Sequence, residues 1–184
     1  MNTKFVYILL VIFAFSFLGI ASVAWGEIDA ELLRKAKAGD ADAQLSLAQK
    51  YDYGEGVAED DAEAVKWYRK AAEQGNAKAQ FHLATLYSLG AGVAEDDAEA
   101  VKWYRKAAEQ GNAKARFGLG GMYAKGEGVA QNYVVTHMWW YLARAQGYYP
   151  AREGMKLLLK QMTREQIAEA QKNAWEWEEK HRSQ

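Results

Sequence analysis

The amino-acid sequence predicts an all-α solenoid, because it repeats with a period of 36 residues and its repeats carry helical spacing of apolar residues. Glycine recurs at this period at positions 39, 75, 111 and 147, and segment 56–79 is identical to segment 92–115. Within one repeat, Ala79, Leu83 and Tyr87 follow one another at intervals of four residues and share one side of a helix. A fixed period of this length is typical of solenoids, in which a single repeat cannot bury its own apolar face.

Residues 1–26 predict a secretory signal peptide. Their only charged side chain, Lys4, precedes an apolar run over 5–20, and small residues then lead to cleavage positions after Ala24 or Gly26. The alternative is an uncleaved anchor, since about 20 apolar residues span a bilayer. We therefore expect a periplasmic or secreted protein, or alternatively a membrane-anchored one with its repeats outside the cytoplasm.

The next elements are a leading helix over 27–39 and three helical hairpins over 40–75, 76–111 and 112–147. Gly90 suits the left-handed turn that ends the first helix of the second hairpin, and Gly111 suits the end of its second helix. Small residues such as Ala100 and Ala107 allow the two helix axes to approach closely. Two helices of about a dozen residues with two short turns account for the period.

These repeats resemble the Sel-1-like repeat, a relative of the tetratricopeptide repeat. The second repeat carries the pattern Ala79-Gln80, Leu83-Ala84, Tyr87, Gly90, Gly92-Val93, Ala100, Trp103-Tyr104, Lys106-Ala107-Ala108 and Gln110-Gly111. The first and third repeats carry much of it, although Arg116 stands in the third where Gln80 stands in the second. The resemblance implies a right-handed superhelical scaffold that holds other proteins together, usually without chemistry of its own.

Residues 148–184 predict a C-terminal helical cap, which a solenoid needs to shield its last repeat. Pro150 can occupy the first turn of one helix, and Thr163 with Gln166 forms a capping box that opens the final helix.

Composition and motifs do not indicate catalysis or a cofactor. The 23 basic and 24 acidic residues nearly balance, which argues against nucleic acid as a partner, and the absence of cysteine excludes disulfides and thiolate chemistry. The acidic clusters at 59–61 and 95–97 contain oxygens that a hard metal would use, but they precede helices, where the helix dipole favours negative charge. His82 and His137 have no second metal ligand one helical turn later. We predict a protein that is not an enzyme, with no metal and no cofactor.

The family resemblance also indicates a binding surface on the first helix of each hairpin, which lines the concave side in tetratricopeptide-like arrays. Leu45, Phe81 and Phe117 would form an apolar column there, unless the phenylalanines pack against neighbouring helices instead. The charges beside the column run from acidic to basic along the array, which would orient a partner. The predicted partner-binding residues are Asp42, Leu45, Gln49, Asp52, Tyr53, Lys78, Phe81, Thr85, Ser88, Leu89, Lys114, Phe117, Gly121, Ala124 and Lys125.

The function that follows is a cell-envelope adaptor that binds another protein or peptide on its concave face. The alternative is a binder of cell-envelope carbohydrate, or a weak hydrolase acting on it. The alternative depends on an excess of aromatic residues that could stack on sugar rings, namely Trp139, Trp140, Tyr141, Tyr148 and Tyr149. The sequence does not determine the oligomeric state.

Overall fold

The computed structural model describes residues 28–182, which form nine α-helices and contain no β-strand. The predicted signal peptide lies outside these residues. Within them, no helix combines the length and apolar character needed to cross a bilayer. The helices are α1 (Ala30–Lys37), α2 (Ala41–Tyr53), α3 (Asp61–Glu73), α4 (Ala77–Leu89), α5 (Asp97–Glu109), α6 (Ala113–Lys125), α7 (Tyr133–Ala145), α8 (Tyr149–Leu158) and α9 (Arg164–His181).

Six of these helices pair into three hairpins, α2–α3, α4–α5 and α6–α7, and each hairpin packs against the next. We call α2, α4 and α6 the first helices and α3, α5 and α7 the second helices. The first helices begin at Ala41, Ala77 and Ala113, which repeats the 36-residue period of the sequence. The prediction of an all-α solenoid is confirmed.

Acidic residues open the second helices in the first two repeats. The side chain of Asp60 accepts a hydrogen bond from the backbone N–H of Glu63 at 2.9 Å, and Asp96 does the same for Glu99. These bonds satisfy N–H groups that have no partner within the helix. The interpretation of the acidic clusters as helix starts is confirmed.

Glycine allows successive repeats to approach closely. Gly92 has a φ of 65°, and a Cβ at this position would collide with the backbone of Asp61 at the start of α3 in the preceding repeat. A larger residue would therefore meet both a strained backbone and an immovable neighbour. The same arrangement recurs between Gly128 and Asp97.

A buried set of hydrogen bonds links each repeat to the one before it. Gln80 on α4 donates from Nε2 to the backbone carbonyl of Ala72 on α3 at 3.0 Å, and its Oε1 accepts from Nε2 of Gln110 at 2.7 Å. We call this set the glutamine ladder. The equivalent bonds one repeat earlier run from Gln44 to Ala36 at 3.0 Å and from Gln74 to Gln44 at 2.7 Å.

Arg116 replaces glutamine at this position in the third repeat. Its Nε donates to the carbonyl of Ala108 at 3.0 Å, so the bond to the preceding repeat is kept. A guanidinium cannot accept a hydrogen bond, so Gln146 cannot join the ladder as Gln110 does. The Arg116 guanidinium instead lies 4.5 Å from the ring centroid of Trp177 on α9. This substitution attaches the last helix to the array.

The two C-terminal helices complete the array in different ways. α8 begins at Tyr149, 36 residues after the start of α6, and so takes the place of the first helix of a fourth repeat. α9 packs against α7, where the Trp139 and Trp177 rings meet edge to face with centroids 5.8 Å apart. The predicted capping box of Thr163 and Gln166 opens α9 and is confirmed.

His137 on α7 is buried without full hydrogen bonding. Its side chain is 2% exposed, whereas earlier repeats have Val65 and Val101 at this position. Among the described residues its Nδ1 has no hydrogen-bond partner. Burial lowers the pKa of His137, and the charge of Arg144 lowers it further. The folded protein therefore holds this histidine neutral.

We expect Gln80→Leu to destabilise the protein by about 1–2 kcal/mol, because it removes the bond that joins two repeats and also the acceptor of the Gln110 amide. The Ala72 carbonyl keeps a hydrogen bond from the backbone N–H of Gly75 at 3.0 Å. Gln110→Leu is the matched control, since it removes the bond to Gln80 but leaves the bond between the repeats in place. Urea denaturation followed by circular dichroism measures both variants. Equal losses of unfolding free energy would contradict the importance of the bond between the repeats.

We expect His137→Val to reduce the loss of stability at acid pH. The pKa of His137 in the folded state lies below the unfolded value of about 6.5, so the unfolded chain binds the proton first as the pH falls. The native protein loses this contribution to stability below about pH 6.5, and the variant does not. The unfolding free energy from urea denaturation should therefore fall less between pH 8 and pH 5 in the variant than in the native protein. A difference between the proteins that is independent of pH would refute this.

Candidate functional site

A groove of about 560 Å³ crosses the first helices of all three repeats and reaches the start of α8. It is lined mainly by side chains that lie near the beginnings of α4, α6 and α8. These are Gln49 from α2, Lys78, Phe81 and His82 from α4, Asn112 and Lys114 at the start of α6, and Gln146 and Tyr148 before α8.

Four of the predicted binding residues line this groove: Gln49, Lys78, Phe81 and Lys114. Lys78 and Lys114 occupy the same position in successive repeats and are both exposed. Phe81 is half-buried, and the ammonium of Lys114 lies 6.0 Å from its ring centroid. The structure thus brings residues of α2, α4 and α6 to one surface.

Leu45 does not continue the predicted apolar column at the surface. Its side chain is 8% exposed and belongs to the core cluster that contains Ala36, with Leu32 and Leu33 packed against it. The cause is α1, which packs against α2 and covers this side of the first repeat. Leu45 therefore offers a partner little surface.

Phe117 packs against other aromatic rings at the third repeat. Its ring stacks on Trp140 with centroids 5.2 Å apart and lies 5.4 Å from the ring of Tyr148. The indole of Trp140 also donates to the Phe117 carbonyl at 2.9 Å. Phe117 supports the wall of the groove through Tyr148 and is not among the residues that line it.

The remaining predicted residues lie outside the groove lining. Asp42 accepts a hydrogen bond from Asn76 at 3.0 Å, and the Thr85 hydroxyl lies 3.0 Å from that of Tyr104. Tyr53, Leu89 and Lys125 are exposed at the ends of the first helices, away from the starts that line most of the groove. Ser88, Gly121 and Ala124 are half-buried on α4 and α6.

His82 is a lining residue that the sequence analysis did not assign to the binding surface. It stacks on Tyr68 with centroids 4.9 Å apart and parallel planes, and its Nδ1 lies 3.9 Å from Oδ2 of Asp52. Burial lowers the pKa of His82, the carboxylate of Asp52 opposes this effect, and Lys114 adds to it. The signal in the sequence is that glycine replaces this histidine in the next repeat, at Gly118.

Asp52, Tyr68 and His82 form a polar cluster beside the groove. Asp52 accepts a hydrogen bond from the Tyr68 hydroxyl at 2.8 Å, and its distance of 3.9 Å from His82 is too long for a second one. Burial raises the pKa of Tyr68, so its hydroxyl remains a donor. No group of three or more metal-ligating side chains occurs in the described part of the chain.

Most of the aromatic residues that suggested carbohydrate binding have roles in packing. Trp139 is 6% exposed, and the ring of Trp140 meets Gly120 and Gly154 so closely that neither position has room for a Cβ. Tyr141 is half-buried against the second core cluster. Tyr148 lines the groove, and Tyr149 is exposed and lines a second cavity together with Tyr148, so these two rings remain at the surface.

Comparison with known proteins agrees with this architecture. A family model described as the Sel1 repeat matches residues 41–76, 77–112 and 113–148, so each matched segment begins with a first helix. No curated protein matches the sequence.

Two solved structures are similar to this chain. A Sel1 repeat protein from Oxalobacter formigenes is 43% identical, with a TM-score of 0.60 over 62% of this chain and 47% of its own. The protein c5321, described as a protective antigen of uropathogenic Escherichia coli strains with an SLR fold, is 30% identical, with a TM-score of 0.64 over 82% of this chain and 40% of its own. The chain thus spans less than half the length of both proteins.

Proposed function

Because the chain belongs to the Sel1 repeat family, we propose that it is a non-enzymatic scaffold that binds another protein through the groove across its first helices. Proteins of this family are generally protein–protein interaction scaffolds. The observation that carries the proposal is that one groove draws its lining from α2, α4, α6 and the start of α8. A surface built from several repeats is the kind that solenoids use for extended partners.

The distribution of sequence differences between repeats supports the groove as the binding surface. The second helices α3 and α5 have identical sequences, whereas the first helices differ from repeat to repeat. The position of His82 in the groove, for example, is serine in the first repeat and glycine in the third. Variation concentrated on the first helices is expected when their surface is adapted to one partner.

A setting outside the cytoplasm is part of the proposal. Its support is the sequence of residues 1–26, in which a basic residue, an apolar run and small residues follow one another as in a secretory signal. The partner would then be a protein of the cell envelope or the medium.

We expect Phe81→Ala and Gln49→Trp to prevent capture of a specific partner. The first change removes an aromatic surface of the groove, and the second fills the groove without removing a packed aromatic ring. The full chain with a C-terminal affinity tag is used to capture proteins from an envelope extract, which quantitative mass spectrometry identifies. Recovery of the partner should fall at least about tenfold with either variant, which corresponds to about 1.4 kcal/mol.

Trp175→Ala is the control for this experiment, since Trp175 is 60% exposed and lies outside the groove lining. Circular dichroism establishes that each variant is folded. A partner that is recovered equally with both groove variants, or is lost only with Trp175→Ala, would show that binding occurs elsewhere on the molecule.

A further inference from the structure

We propose that the partner enters the groove as an extended, acidic peptide segment, with carboxylates facing Lys78 and Lys114 and an apolar side chain against Phe81 and Tyr148. This inference rests on the proposed function and adds the chemistry of the partner. It follows from the charges, the hydrogen-bonding groups and the aromatic surfaces of the groove.

The charge of the groove lining is positive. Lys78 and Lys114 line the groove, and no aspartate or glutamate is among its lining residues in the described structure. Neither lysine forms an ion pair within residues 28–182. Both lie in the first turn of a helix, where the helix dipole adds a partial positive charge. The lysines and the dipoles therefore favour a negatively charged ligand.

Two carboxylates of the first repeat, Asp42 and Asp52 on α2, form no ion pair with these lysines. Asp42 is the residue equivalent to Lys78 one repeat earlier, and its Oδ1 accepts a hydrogen bond from Asn76. Asp52 accepts from Tyr68 and is only 15% exposed. Neither carboxylate lies within 4.0 Å of either lysine ammonium, so the two ammonium groups remain available to carboxylates from a partner.

The polar side chains of the groove favour an extended segment over a helix. Within the described residues, the side-chain amides of Gln49 and Gln146 line the groove and make no hydrogen bond to other groups of the chain. An extended peptide exposes backbone N–H and C=O groups that need such partners, whereas a helix has already paired them. A docked helix would also need three or four apolar anchors in register. The groove offers two aromatic surfaces, Phe81 and Tyr148.

The aromatic rings lie close enough to the charges for one short segment to use both. Lys114 Nζ is 6.0 Å from the Phe81 ring centroid, and Tyr148 is held against Phe117 at the same end of the groove. Side chains two residues apart in an extended peptide point to the same side and are separated by about 7 Å. With an acidic residue at Lys114, an apolar side chain two residues along can thus reach the Phe81 ring.

The test uses an array of 12-residue peptides in matched pairs, probed with the full chain carrying a fluorescent label. The two members of a pair differ only in having Asp and Glu or the isosteric Asn and Gln. We expect the acidic members of the bound pairs to retain at least about ten times more protein than the amide members in 50 mM salt. We expect this ratio to fall several-fold in 300 mM salt, because salt screens exposed charges.

Charge-reversal variants assign the effect to the groove. The double variant Lys78→Glu/Lys114→Glu should lose the preference for acidic peptides. The control Lys160→Glu/Lys180→Glu, which makes the same change of net charge at two exposed residues outside the groove lining, should keep it. Both variants are compared by circular dichroism, and negative charge in the first turns of α4 and α6 is itself compatible with those helices.

Three outcomes would overturn the inference. Equal binding of acidic and amide peptides, blocked by Gln49→Trp, would show that the groove binds peptides regardless of their charge. The proposed function would then hold, and the preference for an acidic partner would be wrong. An acidic preference that survives Lys78→Glu/Lys114→Glu would place the charge recognition outside the groove. Absence of binding to every peptide would refute an extended peptide as the ligand, and the capture experiment would then decide the proposed function separately.

Discussion

The buried hydrogen bond from each repeat to a backbone carbonyl of the preceding helix is the constraint on which the rest of the molecule depends. Apolar packing of alanines brings the helices together, but it tolerates sliding, because one alanine resembles another. The bond from Gln80 to the Ala72 carbonyl has no such tolerance, since a shift between the hairpins would leave the buried amide of Gln80 without its acceptor. It therefore fixes the register between hairpins, and the position of Lys78 relative to Lys114 follows from that register.

The ladder also accounts for how the array ends. A glutamine can donate to one repeat and accept from its own second helix, so the pattern can be extended indefinitely. Arg116 can only donate, and its planar cation stacks on Trp177 of α9. The final helix consequently packs on α7 instead of covering α8 as a normal second helix would. The single residue Arg116, at a position that repeats along the array, thus favours a capping helix over a further repeat.

The sequence predicted the architecture because the period and the helical spacing are local, repeated signals. Three hairpins, the acidic helix starts and the capping box at Thr163 follow from such signals. It predicted four of the ten residues that line the groove, since Gln49, Lys78, Phe81 and Lys114 follow from the register of a first helix. It did not reveal that Leu45 is buried by α1, because that depends on which element covers the first repeat.

His82 was missed because contacts between repeats decide whether a side chain at this position reaches the surface. His82 reaches the groove because it stacks on Tyr68 of the preceding second helix, and Gly118 cannot do the same one repeat later. At Gly118 a Cβ would lie 2.9 Å from the ring of Tyr104, so that ring takes the space that a side chain would need. Identical second helices therefore present different surfaces beside different first helices. A few first-helix residues determine which chemical groups the groove presents. The repeated second helices and the glutamine ladder keep the geometry of the groove constant.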